Sequence, residues 1–510
     1  MSKFNQTQTR VNVTPNDTNM AGGVSYKRED LRKEIASVVL NSMINGNSFY
    51  ESEEDRINRL FELVAKNPDA NEFLAKAMVY ARNEGNLRSV SHIMGVALVE
   101  NAKGTTFMRP ALKRTFIRPD DATEMVALFN ARNEGKMVPN VLRRSIKDAL
   151  ETRWDEYQLK KYAGTKNKVK LKNLVQIAHP SPRVLVETGK AKDVNVFVRV
   201  IEDTLDNIQT AQTVNAGSTD ADRALNYKNM LSERKLGYMA ALKNIKNILE
   251  AGADQETVDS LCGLLTNRNA VLKSRVLPFR FTQAYGIVDS LSMDKFKARQ
   301  ILDAIEQGFI YSAGNVSIVE GNEKVALLLD ESGSMGGFYG SDNEMTSTKP
   351  FMIGKTLMAS MMCGLKLENT IGYLWADRSR EVTLTDKPFQ FIKNTNTQGG
   401  GTDVSAPLKD LIKNKTYVDK IVIFSDMQMY GGWGNIGDQV SKYVNKYKAE
   451  VNPNVKVLFW NLEGYSGGTP MKLSNDILEI SGYSDKFLDV IPKMWKDKDA
   501  LVNEIENIVL

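Results

Sequence analysis

The hydrophobic pattern of this chain changes its period once, near residue 321, and that change restricts it to a two-part architecture. From about Asp30 to about residue 310 the apolar residues follow a helical period. Ile57, Leu60, Phe61 and Val64 recur at i, i+3, i+4 and i+7, the spacing of one buried stripe. Phe73, Leu74, Ala77, Met78 and Ala81 repeat it before Gly85, and Leu236, Met239, Ala240, Ile245, Ile248 and Leu249 repeat it before Gly252. Beyond residue 321 the apolar residues come in short continuous runs: Lys324–Asp330, Thr370–Trp375, Lys420–Phe424 and Val455–Trp460. Helix-like segments such as 351–366 and 436–449 separate them, and the Met-rich stretch Phe351–Cys363 reads as a helix covering a sheet. Apolar strands alternating with helices indicate a parallel sheet buried on both faces. The second part is therefore expected to be α/β and doubly wound.

The first part carries an internal echo. Ala-Arg-Asn-Glu-Gly occurs at 81–85 and again at 131–135, each time closing an apolar helical stretch. That interval is slightly longer than the roughly 40–47 residues of paired-helix solenoid repeats. Arg82 and Arg132 within the echo are expected to cap helices or bridge repeats. Residues 1–20 are polar and read as a flexible tail, which divides the chain into 1–20, 21–320 and 321–510.

Charge separates the two parts as well. Residues 321–510 hold 21 basic and 24 acidic residues, whereas residues 1–320 hold 46 and 38. The excess concentrates in residues 143–193, with 13 Lys or Arg against 6 Asp or Glu, so the first part is the candidate for a polyanionic partner. Arg109, Lys113, Arg114 and Arg118, near Phe107 and Phe116, read instead as a solvated face over core aromatics. Two cysteines and two histidines exclude a disulfide framework and a Cys/His zinc cluster. His92, among Val90, Ile93 and Met94, reads as a packing residue. No apolar run approaches the roughly 18 residues of a membrane span, and the first residues lack an apolar leader. The expectation is a cytoplasmic protein without a membrane partner.

The first strand-like run ends in Asp330-Glu331-Ser332-Gly333-Ser334-Met335-Gly336. A carboxylate followed by hydroxyls two and four residues on turns three oxygens toward one point when the loop curls, and Gly333, Gly336 and Gly337 allow the curl. Hard oxygen donors with few carboxylates suit Mg²⁺ or another divalent cation. In open α/β sheets such loops lie where ligands bind, beyond the carboxyl ends of the strands. Gly399-Gly-Gly-Thr402-Asp403 adds a hydroxyl and a carboxylate, and Ser425-Asp426 adds another carboxylate.

These three loops, in this order, closely resemble the metal-ion-dependent adhesion site of von Willebrand factor A domains. By that resemblance Asp330, Ser332, Ser334, Thr402 and Asp426 would hold the metal, directly or through water, and an acidic group from a partner would fill the open position. Asp403 is expected to support its loop. Glu331 and the 336–349 insert bear on access. No Ser-His-Asp set or phosphate-cradling glycine loop accompanies the site, and no enzymatic activity is expected.

Phrases of the first part then fit one family. They are Asn19-Met-Ala-Gly-Gly-Val-Ser-Tyr26, Gly46-Asn-Ser-Phe-Tyr50, Arg118-Pro-Asp-Asp121, Leu142-Arg-Arg144, Gln176-Ile-Ala-His-Pro-Ser-Pro182 and Tyr238-Met-Ala-Ala-Leu-Lys-Asn-Ile245. With the metal-site part behind them, they resemble the Ro autoantigen family, whose helical repeats form the TROVE module. The resemblance implies a HEAT-like ring of helices closed by the α/β domain, monomeric because it closes on itself. It implies noncoding RNA as partner: Y-type RNA on the outer surface and single-stranded 3′ ends of misfolded RNAs in a basic hole, for RNA quality control. It further implies an exoribonuclease or other protein partner.

Carried over by position, the RNA contacts would be Lys161, Lys166, Lys172 and His179. Single-stranded RNA needs cations for phosphates and flat groups for bases, and the 160–172 lysines with Tyr162 interleaved suit it. Two other classes remain open. One is a metal-dependent interaction scaffold that recruits an acidic protein. The other is a Mg²⁺-dependent hydrolase built on Asp330, Asp403 and Asp426.

Overall fold

A computed structural model describes residues 14–28, 30–41, 50–163, 167–182, 195–203, 210–215, 219–313, 318–336, 344–429, 438–465, 467–482 and 486–510. Lys166, Gly337 and most of residues 1–20 lie outside them. The helical stripes pack on their neighbours, and several helices also pack on the next but one. Glu53–Lys66 lies against Arg88–Asn101, Asn71–Asn83 against Met108–Thr115, and Arg88–Asn101 against Pro119–Arg132. Leu60, Phe61, Val64 and the whole stripe from Phe73 to Ala81 are buried. Each copy of the pentapeptide closes a helix, and its arginine joins repeats. Arg82 hydrogen-bonds Asp121 through Nη2 at 2.8 Å, and the Arg132 guanidinium lies 3.5 Å from the Phe61 ring centroid.

Beyond residue 321 the strands are β3 (Val325–Asp330), β4 (Thr370–Trp375), β5 (Ser379–Val382), β6 (Lys420–Ser425), β7 (Lys456–Asn461) and β8 (Ile477–Ser481). They form one sheet in the order β5-β4-β3-β6-β7-β8, parallel except for β5 on β4. Alternate residues feed two cores. Val325, Leu327 and Leu329 face the Pro350–Met362 helix, whereas Ala326 and Leu328 face Leu408, Leu411 and Val444. Burial on both faces explains the continuous apolar runs. Strands β5 and β8 escaped the sequence pattern because they lie at the sheet edges, where Ser379, Arg380 and Glu381 on β5 and Glu479 on β8 interrupt the apolar run.

Both ends of the helical array rest on the α/β part. At one end Ser37 of the Leu31–Asn41 helix meets Ser481 at 2.9 Å, and Tyr80 donates to Glu504 at 3.1 Å. At the other, Tyr285 stacks on Phe389 with centroids 4.4 Å apart, and Lys393 pairs with Asp289 at 2.7 Å. Arg275 also bonds the Asn83 carbonyl, so the two arms of the array touch. The helical-repeat array followed by a doubly wound α/β sheet is thus the architecture observed.

One segment behaves differently from expectation. Residues 14–20 were assigned with the flexible tail, yet β1 (Asp17–Thr18) pairs antiparallel with β2 (Val24–Ser25) as part of a strap docked on the α/β part. Asn19 donates to the Met429 carbonyl at 2.9 Å, and Met20 N–H donates to Gln428 at 2.7 Å. Tyr26 exchanges backbone hydrogen bonds with Thr469, and Arg28 grips Glu479. The polar composition serves hydrogen bonding to another part of the chain, not solvation of a tail.

Candidate functional site

Two constellations carry chemistry. The first lies at the carboxyl ends of β3 and β6. Asp330 is the last residue of β3, and Asp426 follows the last residue of β6, its parallel neighbour. Asp330 Oδ1 accepts the Ser332 N–H at 2.8 Å and Oδ2 accepts the Ser425 hydroxyl at 2.6 Å. Ser332 and Ser334 hydroxyls lie 3.4 Å apart, and Ser334 lies close enough to Asp426 to favour its ionised form. The curl is made by a short turn, Gly333–Met335, that ends at Gly336 with φ 89°, a conformation glycine adopts without strain. Burial pushes both carboxyls up, and the Asp426 charge adds to the rise at Asp330. Asp426 Oδ2 is buried without a hydrogen-bond partner. Two dehydrated carboxylates, one with an unpartnered oxygen, beside two hydroxyls fit a hard divalent cation.

The Gly399–Asp403 loop adjoins this turn through a hydrogen bond from Gly333 N–H to the Gly400 carbonyl, 3.1 Å. Thr402 is half-buried in it. Asp403 accepts the Ser405 N–H at 2.9 Å and pairs with Lys409, so it holds its own loop. Glu331 pairs with Arg380 at 2.9 Å and accepts the Gln398 N–H, an anchor for that loop. Asp330, Ser332, Ser334 and Asp426 are thus brought into contact, with Thr402 in the adjoining loop.

The second constellation is basic. Lys161, on the Glu156–Ala163 helix, has its Nζ 5.7 Å from the Tyr157 ring and 5.8 Å from the Tyr162 ring. Tyr157 is 51% exposed, a flat surface at the edge of a cationic patch. Arg118 reaches over Tyr162 at 5.9 Å and is held by both oxygens of Asp120. Partial desolvation and the Arg118 charge depress the Lys161 ammonium. Lys243, on the distant Tyr238–Glu250 helix, is depressed by partial desolvation and by the charges of Arg280, Arg118 and Arg88. The Arg118 charge is thus felt at both Lys161 and Lys243, and Arg280 and Arg88 add to it at Lys243.

Of the residues named from the sequence, Lys161 belongs to this constellation. Lys172 begins the Leu171–Ala178 helix and pairs with Asp203 at 3.0 Å. His179 ends the same helix, exposed and left-handed at φ 46°. Arg118, Lys243 and Arg280 were not assigned. From the sequence Arg118 reads as a solvated face, and Lys243 lies within the phrase Tyr238–Ile245 without a role. Only tertiary structure brings them together.

Behind Arg118 lies a buried polar network. Asp121 accepts from Arg82, Arg88 and His92 side chains and from the Arg118 N–H at 2.9 Å. His92 is buried, as packing requires, yet its other nitrogen lies 3.1 Å from Glu124.

Residues 32–229 and 215–308 match the TROVE domain. Among curated relatives, the RNA-binding protein RO60 of Deinococcus radiodurans is 22% identical over 255 residues, which are 48% of this chain and 46% of that protein. In that alignment the chain spans about half the relative's length. The crystal structure of the Deinococcus radiodurans RO (RSR) protein superposes with a TM-score of 0.59 at 16% identity, covering 91% of this chain and all of that one. That likeness concerns the fold. The TROVE match alone runs through more than half of the 510 residues, and the chain belongs to the TROVE domain family as a Ro-like protein.

Proposed function

We propose that this protein is an RNA-binding scaffold of the Ro type, with a helical TROVE domain over residues 21–320 and a von Willebrand factor A domain over 321–510. It would take single-stranded 3′ ends of structured or misfolded RNA on the basic face and Y-type RNA elsewhere on the helical surface, in cytoplasmic RNA quality control. The observation that carries the reading is Lys161 beside the Tyr157 and Tyr162 rings with Arg118 over Tyr162, together with the positive field that Arg280, Arg118 and Arg88 set up at Lys243. Cations next to exposed rings are what a single strand needs, since phosphates pair with charge while bases stack. Lys172 and His179, at the two ends of one short helix, would extend the path, as would Lys166. The name of the RO60 relative supports RNA as the ligand class.

In the α/β domain Asp330, Ser332, Ser334, Thr402 and Asp426 would hold Mg²⁺ or another divalent cation. The unpartnered Asp426 oxygen supports that fit. Once bound, the ion would neutralise the two buried carboxylates. Hydrolysis is not the favoured reading, because Asp403 is engaged with Ser405 and Lys409.

The test is binding of the purified chain to a structured RNA with and without a 3′ single-stranded tail, across a salt series. Five phosphate contacts would give a log–log salt slope of about −3.5. A variant with Lys161, Lys243 and Arg280 changed to Ala is expected to lose the tail preference. Equal affinity for tailed and untailed RNA in the unaltered protein would refute the reading.

A further inference from the structure

An adhesion site that captures an acidic partner must present its hydroxyls to solvent. Here Ser332 is 0% exposed and Ser334 7%, and Met427, Gln428 and Met429 beyond the second carboxylate are buried as well. The chain's own amino-terminal segments reach this end of the sheet along two routes. Asn19 and Met20 of the strap bond Met429 and Gln428, in the segment directly after Asp426. Tyr50, just before the Glu53–Lys66 helix, comes close enough to Ser334 for the two hydroxyls to interact, and it packs edge-on to Tyr465 with centroids 5.3 Å apart.

A charged layer stands behind Tyr50. Glu463, two residues beyond β7, is buried and under the influence of the Asp426 charge, and its Oε2 has no hydrogen-bond partner. Arg56 lies 3.6 Å from Glu463 and 3.8 Å from Glu51, and Arg59 pairs with Glu51 at 3.1 Å. Glu51 and Glu463 thus face Arg56 and Arg59, while Asp330 and Asp426 are buried with no cationic side chain paired to them among the described residues. A divalent cation among the strand-end loops would supply charge to the Asp330–Asp426 pair. The helical array contributes Glu51, Arg56 and Arg59 to the balance, so the array and the ion share one electrostatic unit.

We propose that the metal site is closed in cis, with Tyr50 seated on Ser334 where a partner's carboxylate would approach, and that the bound ion staples the first repeat to the α/β domain instead of recruiting a protein. This rests on the reading of the strand-end loops as a metal site. Tyr50 acts as a positioning residue through Ser334.

The experiment uses the full chain, with Mg²⁺ or EDTA, and follows amide hydrogen exchange. Mg²⁺ is expected to slow exchange at least tenfold both in residues 330–335 and in the Glu53–Lys66 helix. A parallel Mn²⁺ titration is expected to be insensitive to acetate in the wild type. In Tyr50→Phe, loss of the hydroxyl beside Ser334 should weaken Mn²⁺ by about fivefold and render binding acetate-sensitive. Protection confined to the strand-end loops, or acetate sensitivity in the wild type, overturns the closure while leaving a metal site. Absence of Mn²⁺ binding, with Asp330→Ala indistinguishable from wild type, overturns the metal reading and the staple with it.

Discussion

Replacing Asp121 by Asn tests whether the buried network behind Arg118 organises the first repeats. The substitution keeps the shape and removes one charge facing Arg82, Arg88 and His92. Arg82 and His92 are buried, and Asp121 has no exposed surface, so solvent screens little of the loss. Removing one partner of a buried pair costs about 3–5 kcal/mol. Two features place the expectation at the lower end. The Asn oxygen still accepts the Arg118 N–H, and His92 is able to release its proton. A loss of about 3 kcal/mol with an m-value of about 3 kcal/mol/M lowers the urea midpoint of helical unfolding by about 1 M.

The pH profile adds a second readout. Burial opposes the Asp121 anion, but hydrogen bonds and charges from His92 and Arg82 hold its carboxyl far below the usual range. Its contribution is full above the unfolded value near 3.9 and declines as pH falls below it. Burial likewise opposes His92 protonation, but hydrogen bonds to Asp121 and Glu124 outweigh that and raise its pKa. The His92 contribution is full below about 6.5 and is lost as pH rises through the raised value. Wild type should therefore lose stability on both sides, and Asp121→Asn should flatten both limbs. Asp120→Asn, at a more solvated pair, should cost under about 1 kcal/mol. A midpoint shift below about 0.3 M for Asp121→Asn, or equal shifts for both variants, would refute the reasoning.

Three further outcomes are expected. Lys355 is fully buried with its Nζ on the Thr395 carbonyl, and burial lowers its pKa from 10.5 to about 7. The unfolded chain holds a proton that the folded chain lacks across that window, so stability should climb between pH 7 and 10 by a few kcal/mol, and Lys355→Met should remove the climb in denaturation curves. Gly468→Ala would set a Cβ 2.1 Å from the Tyr26 carbonyl oxygen, a backbone atom, so limited proteolysis should cut residues 14–28 at least tenfold faster than in wild type. Arg132→Ala removes the guanidinium stacked on Phe61 and should cost about 1 kcal/mol in urea denaturation, with Arg132→Lys intermediate.

What could be read from the amino acids followed from local rules. The doubly wound sheet was legible because β3, β4, β6 and β7 are buried on both faces, which writes itself as continuous apolar runs. The Asp330 loop was legible because its oxygens lie within five residues. The basic constellation was not, since Arg118, Lys161, Lys243 and Arg280 are spread over more than 160 residues and none stands in a diagnostic spacing. His92 shows how composition misleads. Its apolar neighbours announced burial correctly, but the carboxylates that bond it, Asp121 and Glu124, come from another helix. The strap was hidden for a related reason, because Asn and Thr carry the same signature whether they bond water or a distant carbonyl.

The strap also sets an order of events during synthesis. Its partners Gln428, Asp438, Thr469 and Glu479 are translated more than 400 residues after it. At about 5–20 residues per second, that is a delay of roughly 20–80 s. Throughout that interval the helical repeats can pair with one another while their first turn has nothing to grip. The strap therefore docks only after β8 emerges, and the first repeat is fixed to the α/β domain as the last step of chain assembly.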